Sequence, residues 1–440
     1  METERQKGKK ITFRGIFKGD RVIWMIFFFL CMISIVEVYS ASSSLSYRGG
    51  NFWSPIIKHG GLLFVGFLLM LPVLNIPCKF FKLAAWPMFI FSLFTLFWVL
   101  AAGQSTNGAS RWVSFMGIQF QPSEIAKGTL VLIVAQLMSF FQTEKGAAPQ
   151  AFNYIMIFST IIIGLILLEN MSTAILLAIT IFMMMILGRI PAKSLVKTVL
   201  ILVAIAGLFI GLSLASGPTE EELAEEDNTE MTDNAGNNNK ETPKTERNAF
   251  QKVFHRFSTW QGRIRKFAKN LDKKEVPPED IDLDKDAQWA HANIAIATCG
   301  IIGKGPGNSV ERDFLSQAFS DFIYAIIIEE LGLLGAIFVA ALYIILLFRT
   351  AQIAKRCENN FPAFLAMGLA LLLVTQAMFN MMVAVGIAPV TGQPLPLISK
   401  GGTSSIINCI YIAMILSVSR SAKKREKSNE KSSEKIRLTE

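Results

Sequence analysis

The stretch SQAFSDFIYAIIIEELGLLG, residues 316–335, places three acids at the edge of and inside a long apolar run. Asp321 stands where a polar segment ends, and Glu329 and Glu330 follow within the run. Charges in hydrocarbon cost several kcal/mol, so these acids are candidates for function. A helix turns about 100° per residue, which puts Glu329 about 80° from Asp321 and Glu330 on the opposite side. Only Glu329 could therefore share a cavity wall with Asp321; alternatively, both glutamates bond to neighbouring helices.

The apolar run that contains these acids is one of many. The 440 residues are 52% hydrophobic and only 18% charged, whereas about a quarter of the residues of a soluble protein are charged. The intervening apolar runs are long enough to cross a hydrocarbon core about 30 Å thick. We predict an all-α polytopic membrane protein with a membrane domain over residues 22–418. Its ten predicted transmembrane helices cover 22–36, 60–74, 83–102, 123–141, 154–168, 172–187, 195–214, 322–348, 362–385 and 406–418.

Lysine and arginine residues set the predicted orientation. Two basic tails, 1–21 and 419–440, supply much of the net charge of +9. The positive-inside rule puts both tails in the cytoplasm and the large loop between helices 7 and 8, residues 216–320, outside. Basic tails fit an anionic membrane surface, so the net charge does not indicate nucleic-acid binding. The second tail is predicted to be disordered, and the first apolar run is interpreted as an uncleaved anchor rather than a signal peptide.

The outer loop has segments of different composition. Residues 219–244 are acidic and asparagine-rich, with hardly any bulky apolar side chains, and we expect them to be disordered. Residues 250–267, FQKVFHRFSTWQGRIRKF, are basic and aromatic, as in a helix on a membrane surface; a phosphate-binding role is equally open. Residues 303–309, GKGPGNS, form a glycine-rich turn that does not match a nucleotide-binding motif.

Two further stretches carry polar residues on the predicted outer side. In NGASRWVSFMGIQFQPSEIAKG, residues 107–128, Glu124 and Lys127 are three apart and can pair on one helix face. Lys127 then either serves in a structural ion pair or faces an outer cavity. In PVTGQPLPLISKGGTSS, residues 389–405, prolines and glycines predict a re-entrant loop, and such backbone is tolerated only where protein buries it or a cavity hydrates it. An outward polar cavity suits an enzyme or a transporter.

Seven short motifs, taken together, resemble the SEDS family of bacterial shape, elongation, division and sporulation proteins. They follow the family order along nearly the whole chain. NGASRW, and the pair Thr259–Trp260, make the chain more similar to the division-type FtsW branch than to the elongation-type RodA branch. The motifs are VYSAS at 38–42, NGASRW at 107–112, QPSEIAK at 121–127, ENMSTA at 169–174, IGKGPGNS at 302–309, SDFIYAIIIEELGLLG at 320–335 and TGQPLPLISKGGTSS at 391–405.

The resemblance implies peptidoglycan glycosyltransferase activity, with polymerisation of lipid II during septal cell-wall synthesis. Asp321 matches the essential aspartate of the family, and Lys127 matches a lysine expected to face the same cavity. The implied partners are a class B penicillin-binding transpeptidase and other divisome proteins at the bacterial inner membrane. The chain departs from the family pattern at several positions: Gln119, Glu169–Asn170, His291–Ala292, and Lys400, where the family usually has tyrosine.

As a hypothesis, Asp321 is the general base that deprotonates the acceptor sugar, while cations stabilise the departing diphosphate. Arg111, Arg263 and Lys304 are the candidates for the phosphates. Further candidates for substrate contact are Glu124, Gln288 and Ser399. A divalent cation, Mg²⁺ or Mn²⁺, could assist, although no ligand cluster in the sequence requires one. The alternatives are a lipid II flippase or transporter, an elongation-type polymerase, and a scaffold that recruits partners.

Overall fold

The computed structural model describes most of the chain. The described residues are 17–42, 53–102, 104–106, 109–115, 118–144, 146–215, 262–264, 267, 287–315 and 318–437. The acidic segment 219–244 and almost all of 250–267 lie outside the described residues, as does the tail 1–16.

Long helices account for nearly all of the regular structure, as the composition predicts. In the described residues, seven of them precede the large loop: α1 (Arg21–Ala41), α2 (Ser54–Asn75), α3 (Cys78–Ala102), α4 (Pro122–Phe140), α5 (Pro149–Glu169), α6 (Met171–Leu187) and α7 (Ala192–Ala215). Within or after the loop come α8 (Ala287–Ala297), a short 3-10 helix (Glu311–Asp313), α9 (Ile323–Lys355), α10 (Asn360–Ala384) and α11 (Thr403–Arg437).

The multi-pass helical architecture is confirmed, while the count of ten spans stays a prediction. Within the described residues, eight helices are long and apolar enough to cross a membrane, namely α1 to α5, α9, α10 and the first part of α11. Helix α6 is apolar but shorter, with 17 residues. Helix α11 continues to Arg437 through most of the segment 419–440, for which the composition suggests no regular structure. Lysine and glutamate are good helix formers, which favours this continuation.

Three helices form the centre of the bundle. In α4, α10 and the first part of α11, 72% of the most apolar window is buried by protein, against 22% in α2 and 28% in α5. The outer helices expose large apolar side chains such as Phe64, Ile90 and Phe94. Such a surface is stable in lipid rather than in water.

Tight connections hold several helices in place. Helices α5 and α6 are separated only by Asn170, whose side chain accepts a hydrogen bond from the Thr173 amide at 3.4 Å and caps α6. These two helices pack against each other as a tight hairpin. Between α3 and α4 lies an antiparallel sheet of β1 (Gln104–Thr106), β2 (Ala109–Phe115) and β3 (Ile118–Phe120). A second antiparallel pair is formed by β4 (Gln142–Thr143) and β5 (Gly146–Ala147).

Helix α9 is interrupted at Gly332, where φ is 71° and ψ is −173°. This region of φ and ψ is accessible essentially to glycine alone. The amides of Leu333 and Leu334 donate to the carbonyls of residues 300 and 301 at 3.3 Å instead of to the preceding helical turn. In return, the carbonyls of Glu329 and Glu330 accept from the amides of residues 304 and 305 at 3.0 and 2.8 Å. The glycine-rich segment thus replaces the two helical bonds that the break removes, as backbone at membrane depth requires.

Candidate functional site

A polar cavity of about 360 Å³ lies where several helices begin. Its wall comes from the start of α2, the start of α4, the α5–α6 connection, the segment before α9, and the loop between α10 and α11. We call this last segment, residues 385–402, the cavity loop. The lining residues are Lys58, His59, Leu62, Gln121, Glu124, Asn170, Phe319, Ser320, Gly392, Gln393, Pro394, Lys400, Gly401, Gly402 and Ser404.

Asp321 lies at the edge of this cavity, next to the lining residue Ser320. The Ser320 hydroxyl donates to Asp321 Oδ1 at 3.1 Å. Asp321 Oδ2 lies 3.5 Å from the position that a Cβ atom would take at Gly392, which also lines the cavity. A Cβ atom at 392 would therefore be in van der Waals contact with the carboxylate. Asp321 itself is half-buried.

The cavity loop is fastened to the segment that carries Asp321. Ser399 is buried, and its hydroxyl donates to the Ser320 carbonyl at 2.6 Å while accepting from the Leu395 amide at 2.7 Å. The Lys400 amide donates to the Phe319 carbonyl at 3.0 Å. Ser399, a predicted substrate contact, therefore lies beside the site and holds its backbone together.

The structure separates the roles of Glu124 and Lys127. Lys127 is fully buried, and its ammonium donates to Glu124 Oε1 at 2.9 Å and to Gln376 Oε1 at 2.8 Å. Glu124 lines the cavity, whereas Lys127 does not. The ion pair that the sequence left open is therefore formed, and the expectation that Lys127 faces the cavity together with Asp321 is not met. Burial explains why Lys127 does not face the cavity. Its ammonium would have to give up its contacts with Glu124 and Gln376 in order to move toward the cavity.

Two amides of α10 join these elements, and the sequence analysis missed them. Gln376 Nε2 donates to the Pro394 carbonyl at 2.9 Å, on the far side of its bond with Lys127. Asn380 Nδ2 donates to the Asp321 carbonyl and to the Gln393 carbonyl, both at 2.8 Å. Both side chains are buried. Their spacing of four residues in an apolar helix was the available signal, because such polar residues share one face.

Lys304 does not reach the cavity. Its ammonium pairs with Glu329 Oε1 at 2.6 Å and also donates to Thr298 at 3.1 Å. We call Glu329, Glu330 and the residues 302–312 that surround them the acid cluster. Its carboxylates are buried, which supports the structural alternative for both glutamates. The expected phosphate contact by Lys304 is therefore replaced by an ion pair.

The remaining predicted substrate contacts, Arg263, Arg111 and Gln288, differ in how they lie relative to the cavity. Arg263 Nη1 donates to the Val390 carbonyl at 3.3 Å, so it touches the cavity loop. Arg111 lies on β2, and its side chain is outside the described part of the structure. Gln288 lies half-buried in the first turn of α8 and is not among the lining residues.

The cavity contains two cations that the sequence analysis did not select, Lys58 and Lys400. The ammonium of Lys400 lies 4.6 Å from the centre of the Phe319 ring. Burial and, after it, the positive charge of Lys58 lower the pKa of Lys400 below its usual value. His59 is buried beside them, and its Nε2 lies 2.7 Å from Ser34 Oγ. The Lys–His pair at the start of α2 was the signal in the sequence.

No group of three or more His, Cys, Asp or Glu side chains in the described ranges is arranged to hold a metal ion. One carboxylate oxygen of the lining residues, Glu124 Oε2, is buried without a hydrogen-bond partner among the described residues.

These features define a class: multi-pass helical membrane proteins with a polar cavity where helices begin and a carboxylate at its edge. The family model of the FtsW, RodA and SpoVE cell cycle proteins matches residues 20–217 and 249–424. The chain belongs to this family.

Relatives and solved structures agree with this assignment. The chain is 29% identical to "Probable peptidoglycan glycosyltransferase FtsW" of Geobacter sp. (strain M18), over 91% of this chain and 96% of that protein. It is 28% identical to the protein of the same name from Coxiella burnetii, over 90% of this chain and 95% of that protein.

Two solved structures share the fold. The structure entitled "Structural coordination of polymerization and crosslinking by a peptidoglycan synthase complex" has a TM-score of 0.65 and 21% identity, covering 92% of this chain and 98% of that one. Thermus thermophilus rod shape determining protein RodA has a TM-score of 0.59 and 20% identity, covering 91% and 97%.

Proposed function

We propose that this protein is a peptidoglycan glycosyltransferase that polymerises lipid II into glycan strands in septal wall synthesis. The observation that carries the proposal is the carboxylate of Asp321 at the edge of a polar cavity in a member of this family. The names of the relatives, which cover nearly the whole chain, support the same activity.

In the proposed reaction, the oxygen of an acceptor sugar hydroxyl forms a bond to the anomeric carbon of the donor. The bond from that carbon to the diphosphate breaks, and the diphosphate leaves with the electron pair. Asp321 accepts the proton of the hydroxyl as a general base, a role that contributes about 10²–10⁴-fold in rate. Because Glu124, the other carboxylate near the cavity, is paired with Lys127, we assign this role to Asp321 alone and propose a single displacement with inversion.

A divalent cation, Mg²⁺ or Mn²⁺, remains part of the proposal. Such an ion would bind mainly to the diphosphate of the donor, since Mg²⁺ commonly uses one or two protein carboxylates together with substrate phosphates. Glu124 and Asp321 are the carboxylates near the cavity. Removal of divalent cations with a chelator should then lower the rate of polymerisation, and adding back Mg²⁺ or Mn²⁺ should restore it.

We also propose a location and partners. Apolar helices and family membership support a bacterial inner membrane protein. The placement of lysine and arginine supports cytoplasmic termini and an outward cavity. A class B penicillin-binding transpeptidase and other divisome proteins at the septum are the proposed partners, in keeping with the synthase complex that shares the fold.

The test uses purified full-length protein with labelled lipid II, with and without a class B transpeptidase. We expect glycan strands from the wild type and a loss of about 10²–10⁴-fold in Asp321→Asn. Asp313→Asn is the matched control, because Asp313 is exposed on the 3-10 helix and does not line the cavity.

The outcomes separate the candidates. Strands made equally by Asp321→Asn would disprove the role of Asp321. No strands under any condition, with lipid II crossing the membrane of liposomes that contain the protein, would favour a transporter.

A further inference from the structure

Lys58 and Lys400 are distinguished from three cations elsewhere in the described structure by what surrounds them. Lys127, Lys304 and Arg349 each form an ion pair of 2.9 Å or less with an acid. Among the described residues, no carboxylate lies within ion-pair distance of Lys58 or Lys400, although both line one cavity. Two like charges close together raise the energy of the empty protein. An anion in the cavity would remove this cost.

The helices around the cavity add to the positive potential. The cavity lies near the N-terminal ends of α2, α4, α6, α9 and α11. Its lining residues fall just before or in the first turns of α4, α6, α9 and α11, and in the second and third turns of α2. Each helix N-terminus carries roughly half a positive charge, from amides that have no partner in the helix. Among the lining residues the acid is Glu124, and Lys127 neutralises it in part. The charge balance of the wall therefore favours an anion.

The hydrogen bonds of His59 fix its neutral tautomer. The Ser34 hydroxyl donates its single hydrogen to the Ile398 carbonyl at 2.6 Å, so the same oxygen can only accept from His59 Nε2–H. His59 Nδ1 then carries a lone pair, and it is buried without a partner among the described residues. Protonation of Nδ1 would turn it into a further donor to an anion in the cavity. The buried ring nitrogen is thus a second, independent sign of a missing ligand.

We propose that Lys58 and Lys400 form a binding subsite for the diphosphate of an isoprenoid-linked donor, with His59 beside it. This inference rests on the proposed function and assigns its leaving-group site to residues other than Arg111, Arg263 and Lys304. Two ammonium groups offer one cation to each phosphate, and lysine binds phosphate as a compact point charge. Leu62 lies on the same wall, one turn along α2, and offers an apolar contact to the isoprenoid.

The binding experiment uses full-length protein in detergent and farnesyl diphosphate as the probe, measured by calorimetric titration. We expect Lys58→Gln and Lys400→Gln each to weaken binding roughly tenfold to hundredfold, as for the loss of a charged hydrogen bond. Lys400→Arg should retain most of the affinity. Lys82→Gln is the matched control, because Lys82 is exposed in the first turns of α3 and does not line the cavity.

Three competitors identify the part that is recognised. Inorganic pyrophosphate that displaces the probe would support a site for the diphosphate itself. Displacement by farnesol alone would overturn the proposal, because farnesol has no phosphate. Equal displacement by phosphatidylglycerol would also overturn it, because the site would then bind any lipid phosphate.

The two proposals can fail separately. Unchanged probe affinity in both lysine variants would overturn the subsite even if the wild type polymerises lipid II. Lysine-dependent binding of the probe without polymerisation would leave the subsite standing and refute the glycosyltransferase. Where both hold, the lysine variants should also raise the KM for lipid II.

Discussion

The acid cluster and the cavity both contain charged groups within the membrane domain, but these groups differ in whether the protein supplies their hydrogen-bond and ion-pair partners. In the acid cluster, Glu329 accepts from the Lys304 ammonium, from the Ser309 hydroxyl and from the Val310 amide at 3.0 Å. Glu330 accepts from the Gly307 amide at 2.9 Å, from Ser40, and from the Ser309 amide at 3.2 Å. In the cavity, no described carboxylate lies within ion-pair distance of Lys58 or Lys400, and His59 Nδ1 has no hydrogen-bond partner among the described residues.

This difference shows that a charge at membrane depth is not by itself a functional site. A charged side chain whose hydrogen bonds and ion pairs are all made within the protein has a structural role. A ligand would have to break those contacts before it could bind there. A charge left without a partner beside an open space stabilises a ligand instead. By this criterion Lys304 and Glu329 are structural, and Lys58 and Lys400 are the binding residues.

The largest expected effect is on stability, from Glu329→Leu. The substitution leaves the Lys304 ammonium and the amides of residues 310 and 311 without their acceptor. We expect a loss of about 3–5 kcal/mol in the free energy of unfolding, as for breaking a buried ion pair. Denaturant titration in detergent would measure it.

The matched control for this prediction is Glu144→Leu, at an exposed position after α4. It should change the free energy of unfolding by no more than about 0.5 kcal/mol. If Glu329→Leu were as stable as the wild type yet failed to bind farnesyl diphosphate, the structural assignment of the acid cluster would be wrong.

A somewhat smaller loss is expected from Gly332→Ala. A Cβ atom at Gly332 would lie 2.4 Å from the Gly303 amide nitrogen and 2.4 Å from the Ile301 carbonyl oxygen, and φ is positive. We expect destabilisation by about 3 kcal/mol, measured by thermal or denaturant unfolding.

Gly164→Ala provides the comparison, because a Cβ atom there meets nothing within 4 Å in the middle of α5. This substitution should stabilise the protein by about 0.5–1 kcal/mol through helix propensity. Equal stability of the two variants would show that the exchange of backbone bonds at the helix break contributes little.

The smallest expected effect is that of pH on the affinity of the cavity for farnesyl diphosphate. Burial and the charge of Lys58 lower the pKa of Lys400. The Lys400 ammonium of the unliganded protein therefore releases its proton at a lower pH than an ordinary lysine does. The anion binds the protonated form, so affinity for farnesyl diphosphate should fall as pH rises through the lowered pKa. One proton gives at most about a tenfold change per pH unit.

Other groups at the cavity define the window for this experiment. The other charged or titratable groups at the cavity are Lys58, His59, Glu124 and, at its edge, Asp321. In Lys400→Arg the alkaline decline should become smaller, since arginine stays protonated. A decline of the same size in this variant would contradict the role given to Lys400.

The comparison also shows which parts of the site the sequence could predict. Asp321 was predicted because a carboxylate at the start of an apolar helix is unusual, and its place at the cavity edge agrees with that prediction. The pairing of Glu124 with Lys127 follows from their spacing and is confirmed at 2.9 Å. The catalytic role of Asp321 stays a prediction. Gln376 and Asn380 left only a weak signal, their spacing of four residues, because the groups that they contact are far away in sequence. Lys58 and Lys400 were not predicted as a pair, because 342 residues separate them along the chain.

By itself, the sequence determined that this chain is a multi-pass helical membrane protein of one family, because apolar runs and short motifs are local properties. It also showed which residues carry charge. Only the tertiary structure decided which charged side chains find their hydrogen-bond and ion-pair partners within the protein and which face the cavity. The reason is physical: Glu329 lies 25 residues from Lys304 and Gln376 lies 249 residues from Lys127 along the chain, and burial depends on how all the helices pack.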